Sequence, residues 1–220
     1  MNRLIEQLPV TYSVFGGVKD AYANLFFQDE VIRNLVMPDP TDGGNGLDAE
    51  ENWYGGIYKI RVKGQEKEVQ SQGHCFTVPY VKNSILDTVT DNRMVITMES
   101  YTGTNYDSKT VRDVIMMFNV FSHKDGLDKY TDEDRNMLER YRAKGFRGNR
   151  VDMVIAAMCR LIETTGVIRD KNGTAYGIGK PVPTPRESML AYEPNNYYYG
   201  KQIFYQFPEI GILPSGGGIH

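Results

Sequence analysis

Residues 111–123 read VRDVIMMFNVFSH, and this stretch decides the fold. From Val114 to Phe121 only Asn119 interrupts a run of β-branched, aromatic and Met side chains, with charged residues just outside it. Such a run predicts a central strand buried on both faces rather than the wall of a pocket. Met116, Phe118 and Val120 would face one side, and Ile115, Met117, Asn119 and Phe121 the other.

A buried sheet face needs a cover. In NRVDMVIAAMCRLIETTG, residues 149–166, Val151, Val154, Ile155, Met158, Cys159 and Ile162 recur on one helical stripe. Asn149 is placed to cap the start of this helix and Gly166 the end, so residues 149–163 are expected to cover one face of the strand. A second helical pattern runs over 17–37, through Val18, Tyr22, Leu25, Phe26, Val31, Ile32 and Leu35, and Pro38 ends it. The Gly- and Asp-rich stretch 38–56 reads as one long loop, of a length that usually serves function.

Strands are expected in IYKIRVKG (57–64), which alternates apolar and basic residues, in GHCFTVPYVKN (73–83) and in DNRMVITMES (91–100). YYYGKQIFYQFPEI (197–210) is a last strand suited to lie beside 111–121. Residues 131–143 predict a short helix with Thr131 as a candidate cap. The fold class is therefore α+β: a mixed, mainly antiparallel sheet packed by one or two helices, with a long loop and extended terminal arms. Residues 1–211 form one domain and 212–220 a C-terminal arm.

The chain has 220 residues, enough to bury roughly 70% of its unfolded surface. With 25 Lys and Arg against 28 Asp and Glu, its net charge of −3 gives no overall field for nucleic acid or anionic membrane. No run reaches the roughly 18 apolar residues of a membrane span, and MNRLIEQLPV is too polar for a secretion signal. Two cysteines without CxxC spacing give neither a disulfide framework nor a zinc site. The 15 tyrosines against one tryptophan point to contact surfaces, because tyrosine is enriched at interfaces.

Candidate chemistry is thin. Cys75 beside His74, and His123 followed by Asp125, supply the one nucleophile and base pair that could be drawn, but no signature places Cys75 near His123. The loop from Asp39 echoes a calcium loop, with Gly44 sixth and Glu50 twelfth, yet Thr41 and Gly43 stand where ligands belong. GTAYGIGK lacks the Walker pattern, since Pro181 follows Lys180. No catalytic residue, cofactor or metal is therefore assigned. The sharpest charge feature is Arg135, Arg140, Arg142, Lys144, Arg147 and Arg150, interleaved with Tyr141 and Phe146. It suits a solvated face, a protein interface or the phosphates of DNA.

The order VFSHKD, then FRGNRVDMVIAAMCRLI, then YGIGKP, then NYYYGKQIFYQF resembles the small neck and tail-completion proteins of tailed bacteriophages, the connector, stopper and tail-terminator group. The resemblance runs through most of the chain and carries no catalytic motif. It implies a non-enzymatic structural protein of the virion neck or tail, assembled in the host cytoplasm. It further implies a ring of identical subunits joining portal to tail around the DNA channel, with portal, connector or tail proteins as neighbours and no membrane. On that reading Trp53, Tyr54, Tyr197, Tyr198, Tyr199, Ile212, Leu213 and His220 are interface residues, while Arg142, Lys144 and Arg147 face packaged DNA or a neighbour. The alternatives are a small cytoplasmic enzyme using Cys75 and His123, and a DNA-binding accessory module.

Overall fold

In a computed structural model, the described residues are 10–37, 46–77, 94–101, 104–105, 109–127, 132–184 and 198–214. The decisive stretch is the strand β6, Thr110–His123. Helices precede it: α1 (Val10–Gln28), α2 (Glu30–Val36) and α3 (Ala49–Tyr54). They are followed by β1 (Gly56–Val62), β2 (Gln65–Ser71), β3 (Cys75–Phe76), β4 (Met94–Tyr101) and β5 (Thr104–Asn105). After β6 come α4 (Asp132–Ala143), α5 (Arg150–Thr164), β7 (Val167–Arg169), β8 (Ala175–Ile178), β9 (Val182–Pro183) and β10 (Tyr198–Ile212).

The main sheet runs β3-β4-β6-β10-β8-β7, with β5 added to β6 and β9 to β10. All its pairs are antiparallel except β3 with β4. This is the expected α+β class. β10 does lie beside β6, from Tyr198 opposite His123 to Gly211 opposite Thr110. It outruns its predicted end because Pro208 falls opposite Asp113, a non-glycine residue at φ +56°, where the ladder is interrupted and no proline N–H is missed.

The alternation in β6 sorts its side chains as its pattern predicts. Val114, Met116, Phe118 and Val120 join the main core, while Met117, Asn119 and Phe121 are buried on the opposite face. The core face is covered by α5 and, over its centre, by α1: the Tyr22 ring meets Phe118 edge-on at 5.3 Å, and Phe26 meets it at 6.0 Å. Fully burying each such side chain contributes about 1.5–3 kcal/mol.

Of the two expectations for 17–37, one helix or a pair, the pair is found, and its first helix begins earlier, at Val10. The Gly16–Gly17 pair, which sequence reading takes as a helix start, lies inside α1 instead. The reason is tertiary, since a Cβ on Gly17 would collide with the Tyr176 hydroxyl arriving from β8. Asp29 breaks the helix by turning to an extended conformation and accepting the Ile32 N–H at 3.0 Å, which starts α2. The predicted loop 38–56 also needs correction. Asp48 and Glu51 form a reciprocal capping box, so α3 forms within it. Capping is likewise what sets α5, where Asn149 and Asp152 form a second such box.

Arg150, the first residue of α5, is 1% exposed. Its guanidinium donates to the carbonyls of Leu35 and Val36 at the end of α2, and of Gly126 after β6. Arg150→Met should leave those carbonyls buried and unbonded and cost about 3 kcal/mol, read as a lower urea midpoint. The Tyr22 hydroxyl is buried with no hydrogen-bond partner among the described residues. Tyr22→Phe should therefore raise stability by about 1 kcal/mol, measured in the same titration.

Candidate assembly surface

Residues 56–71 leave the body of the chain as a two-stranded ribbon. β1 pairs antiparallel with β2 from Gly56 opposite Ser71 to Val62 opposite Gln65. The turn is Lys63–Gly64, with φ +50° and +82°. Positive φ at both central residues defines the type I′ turn whose twist matches a tight hairpin. Neither strand joins the main sheet.

Pairing across the ribbon sorts its residues by face. Ile57 and Gln70, Lys59 and Glu68, and Arg61 and Glu66 share one face. Tyr58 and Val69, Ile60 and Lys67, and Val62 and Gln65 share the other. The charged face carries a Lys59–Glu66 ion pair at 2.7 Å, exposed at both ends and so worth little. The second face is apolar through Tyr58, Ile60, Val62 and Val69. Tyr58 donates to the Gly55 carbonyl at 3.0 Å, and burial together with the carboxylates of Glu51, Asp48 and Glu50 pushes its hydroxyl pKa up. Ile57 is 72% exposed and Val62 45% exposed, against a core whose large side chains are sealed. A lone two-stranded ribbon is marginal in water; here Tyr58, Ile60 and Val69 are half-buried, while Ile57 and Val62 stay open to solvent.

Sequence reading found β1 but not β2, because QEKEVQS has no alternation of apolar residues. The available signal was the VKGQ turn between them.

The predicted interface residues separate. Trp53 is not an interface residue: it is fully buried, its indole N–H donates to the Ala23 carbonyl at 3.1 Å, and its ring packs on Phe27 at 5.8 Å. Capping of α3 turned it inward. Tyr54 is half-buried, with the Lys171 ammonium 5.4 Å above its ring. Tyr199 is half-buried in β10, and Tyr198 is opposite His123. Ile212 belongs to the sheet, opposite Tyr176, and the Leu213 N–H donates to the Ala175 carbonyl, so the predicted arm does not begin at 212, and residues 215–220 lie outside the described residues. The Leu213 side chain is 37% exposed. Tyr197 and His220 lie outside the described residues.

The cluster of cations divides too. Arg150 is core, as described above. Arg140, Arg142, Lys144 and Arg147 are exposed around the turn between α4 and α5. Arg147 donates to the carbonyls of Arg142 at 3.2 Å and Phe146 at 3.1 Å, Arg142 donates to that of Gly148 at 3.4 Å, and Lys144 lies 5.5 Å over the Tyr141 ring.

Cys75 and His123 are not brought together. Cys75 pairs with Ile96, which pairs with Val120, so His123 lies two strands over and three residues along, about 14 Å away. The His74 ring, buried beside Cys75, is engaged by the Met94 carbonyl at 2.9 Å through Nδ1. His123 caps its own turn, Nδ1 accepting the Asp125 N–H at 3.3 Å. Among the described residues no three His, Cys, Asp or Glu side chains converge as metal ligands, and no helix is long and apolar enough to cross a membrane. No protein-family model matches the chain, and no curated protein matches it.

Burial, with the Asp20 charge second, pushes the Cys75 thiol above its ordinary 9.0. The folded chain thus keeps a proton that the unfolded chain releases, and this contribution to stability is full below pH 9 and lost as pH rises beyond it. Cys75 should stay unmodified by a thiol reagent at neutral pH until the chain unfolds. Fast native modification of Cys75, located by peptide mapping, would return it to the list of nucleophiles.

Proposed function

We propose that this protein is a structural subunit of the bacteriophage head–tail junction, closing with copies of itself into a ring that joins portal to tail around the DNA path. The observation that carries the reading is the ribbon of β1 and β2, with Ile57 and Val62 exposed on its two faces. A ribbon that leaves its own core and meets the side of the next subunit makes a head-to-tail contact, and head-to-tail contacts that close generate rings. The order of elements supports the same assignment, since the β6, α5 and β10 succession that carries the resemblance forms the centre of one sheet and its cover.

The interface assigned here consists of the ribbon with Leu213 and the half-buried Tyr54 and Tyr199; Trp53 is withdrawn from it. Its place is the virion neck, with portal or tail proteins above and below. The enzymatic alternative draws no support from Cys75 and His123, whose backbone positions are strands apart.

Light scattering across concentration, alone and with portal protein, tests the proposal. The wild type should reach a discrete multimer or a portal-bound ring. Ile57→Lys with Val62→Lys should weaken association tenfold or more while leaving the unfolding free energy from urea titration within about 0.5 kcal/mol of wild type, as for surface substitutions. A single-chain mass under every condition, with no portal binding, would overturn the assignment.

A further inference from the structure

Between Arg140 and Val151 the chain contains five cations and no carboxylate. Arg150 is buried in the core, so Arg140, Arg142, Lys144 and Arg147 remain on the surface. Folding adds a cation that sequence spacing hides. Arg160, on α5, lines the same open depression of about 480 Å³ as Lys144, Gly145, Phe146, Arg147 and Ala156, a lining that among the described residues has three cations and no carboxylate.

Glu139 and Glu30 stand exposed at the margin of this surface, while three further carboxylates nearby are engaged. Asp152 completes the cap of α5 through the Asn149 N–H at 2.8 Å and pairs with Lys201. Glu163 accepts the Tyr205 hydroxyl at 2.6 Å. Asp29 holds Arg160 at 2.9 Å, fixing that guanidinium at the rim while it also caps α2. Arg147 is held by two carbonyls, which orient its guanidinium without neutralising its charge. The result is a positioned basic surface on a chain whose net charge is negative.

The aromatic residues of this patch narrow its ligand. Tyr141 is buried and packs edge-on against the half-buried Phe146 at 6.0 Å, so neither ring stands out as a platform. Single-stranded nucleic acid is held by exposed aromatic rings, and protein interfaces are anchored by aromatic residues at an apolar centre. This patch has neither, whereas closely spaced cations on an open surface suit the regular phosphates of a duplex.

We infer that the turn between α4 and α5, with Arg160, binds the phosphate backbone of duplex DNA without reading its sequence. This gives a ligand to the DNA-facing side of the proposed ring and rests on that reading for its biological setting, though not for the binding itself.

The test is fluorescence anisotropy with a labelled duplex two helical turns long, titrated with full-length protein at about 50 and about 200 mM salt. Three proteins are compared: wild type, Arg140→Gln with Lys144→Gln, and a control, Arg169→Gln with Lys180→Gln, that removes the same charge from exposed positions outside both the ribbon and the basic turn. The bonds these two positions give the turn are backbone ones, from the Lys144 N–H to the Arg140 and Tyr141 carbonyls, which glutamine retains, and circular dichroism checks the fold against loss of the Lys144 contact with Tyr141. Wild-type binding should weaken steeply with salt. The first variant should lose at least fivefold in affinity at low salt, with the slope of log K on log salt shallower by about 2, while the control binds as wild type. Absence of saturable binding at low salt overturns the inference, as does equal loss in the control, which would mean a general charge effect. So does a first variant that keeps DNA binding but loses mass in light scattering, since the patch would then meet a protein neighbour. Light scattering of the same samples separates the two readings: DNA binding by a chain that never forms a ring retains this inference and removes the other.

Discussion

The Arg150 guanidinium fastens three parts of the chain at one point. It reaches the last carbonyls of α2, those of Leu35 and Val36, and the Gly126 carbonyl at the turn after β6, while its own backbone opens α5. The carbonyl end of a helix carries partial negative charge, so the cation satisfies acceptors that would otherwise be buried unbonded. Asp29 works at the opposite end of α2, capping it and holding Arg160 from the far part of α5. The two helices are thereby locked in one register across the sheet, each end of α2 tied to α5 by an arginine.

At β6 the sheet is buried on both faces. On the core side Tyr22, Phe26, Phe118, Tyr205 and Phe207 form a continuous aromatic cluster with centroid separations between 5.3 and 6.4 Å. On the other side Asn119 donates to the Thr97 hydroxyl at 2.9 Å across β4 and β6, a polar bond set among Val95, Met117 and Phe121. A hydrogen bond at that depth specifies register, because a one-residue slip would bury both polar groups without partners.

With so much apolar surface committed to the core, the outward features are few and different in kind. The ribbon offers exposed aliphatic side chains on a structure that contributes little to the stability of its own subunit, which suits it to be ordered against a neighbour. The turn between α4 and α5 offers charge without apolar area. On the proposed reading, the apolar ribbon would hold the assembly together while the basic turn faces a charged polymer.

The sequence by itself determined the centre of this molecule. The unbroken apolar run of β6, the stripe of α5 with Asn149 as its cap and the alternation in β10 each express a local period, and local period is what residue order encodes directly. The limits of that reading share one cause. Gly17 reads as a helix boundary until Tyr176 arrives from β8 to need the space. Arg150 reads as one more surface cation until the end of α2 supplies acceptors from residues more than a hundred positions away. Trp53 reads as an exposed aromatic in a loop until a capping box turns it onto the Ala23 carbonyl. Arg160 joins the basic turn only because one face of a helix brings it there. For Gly17, Arg150 and the Trp53 indole the partner is remote in sequence, and for Arg160 a helix face supplies it, so which side chains end inside and which remain available for contact was decided by tertiary packing.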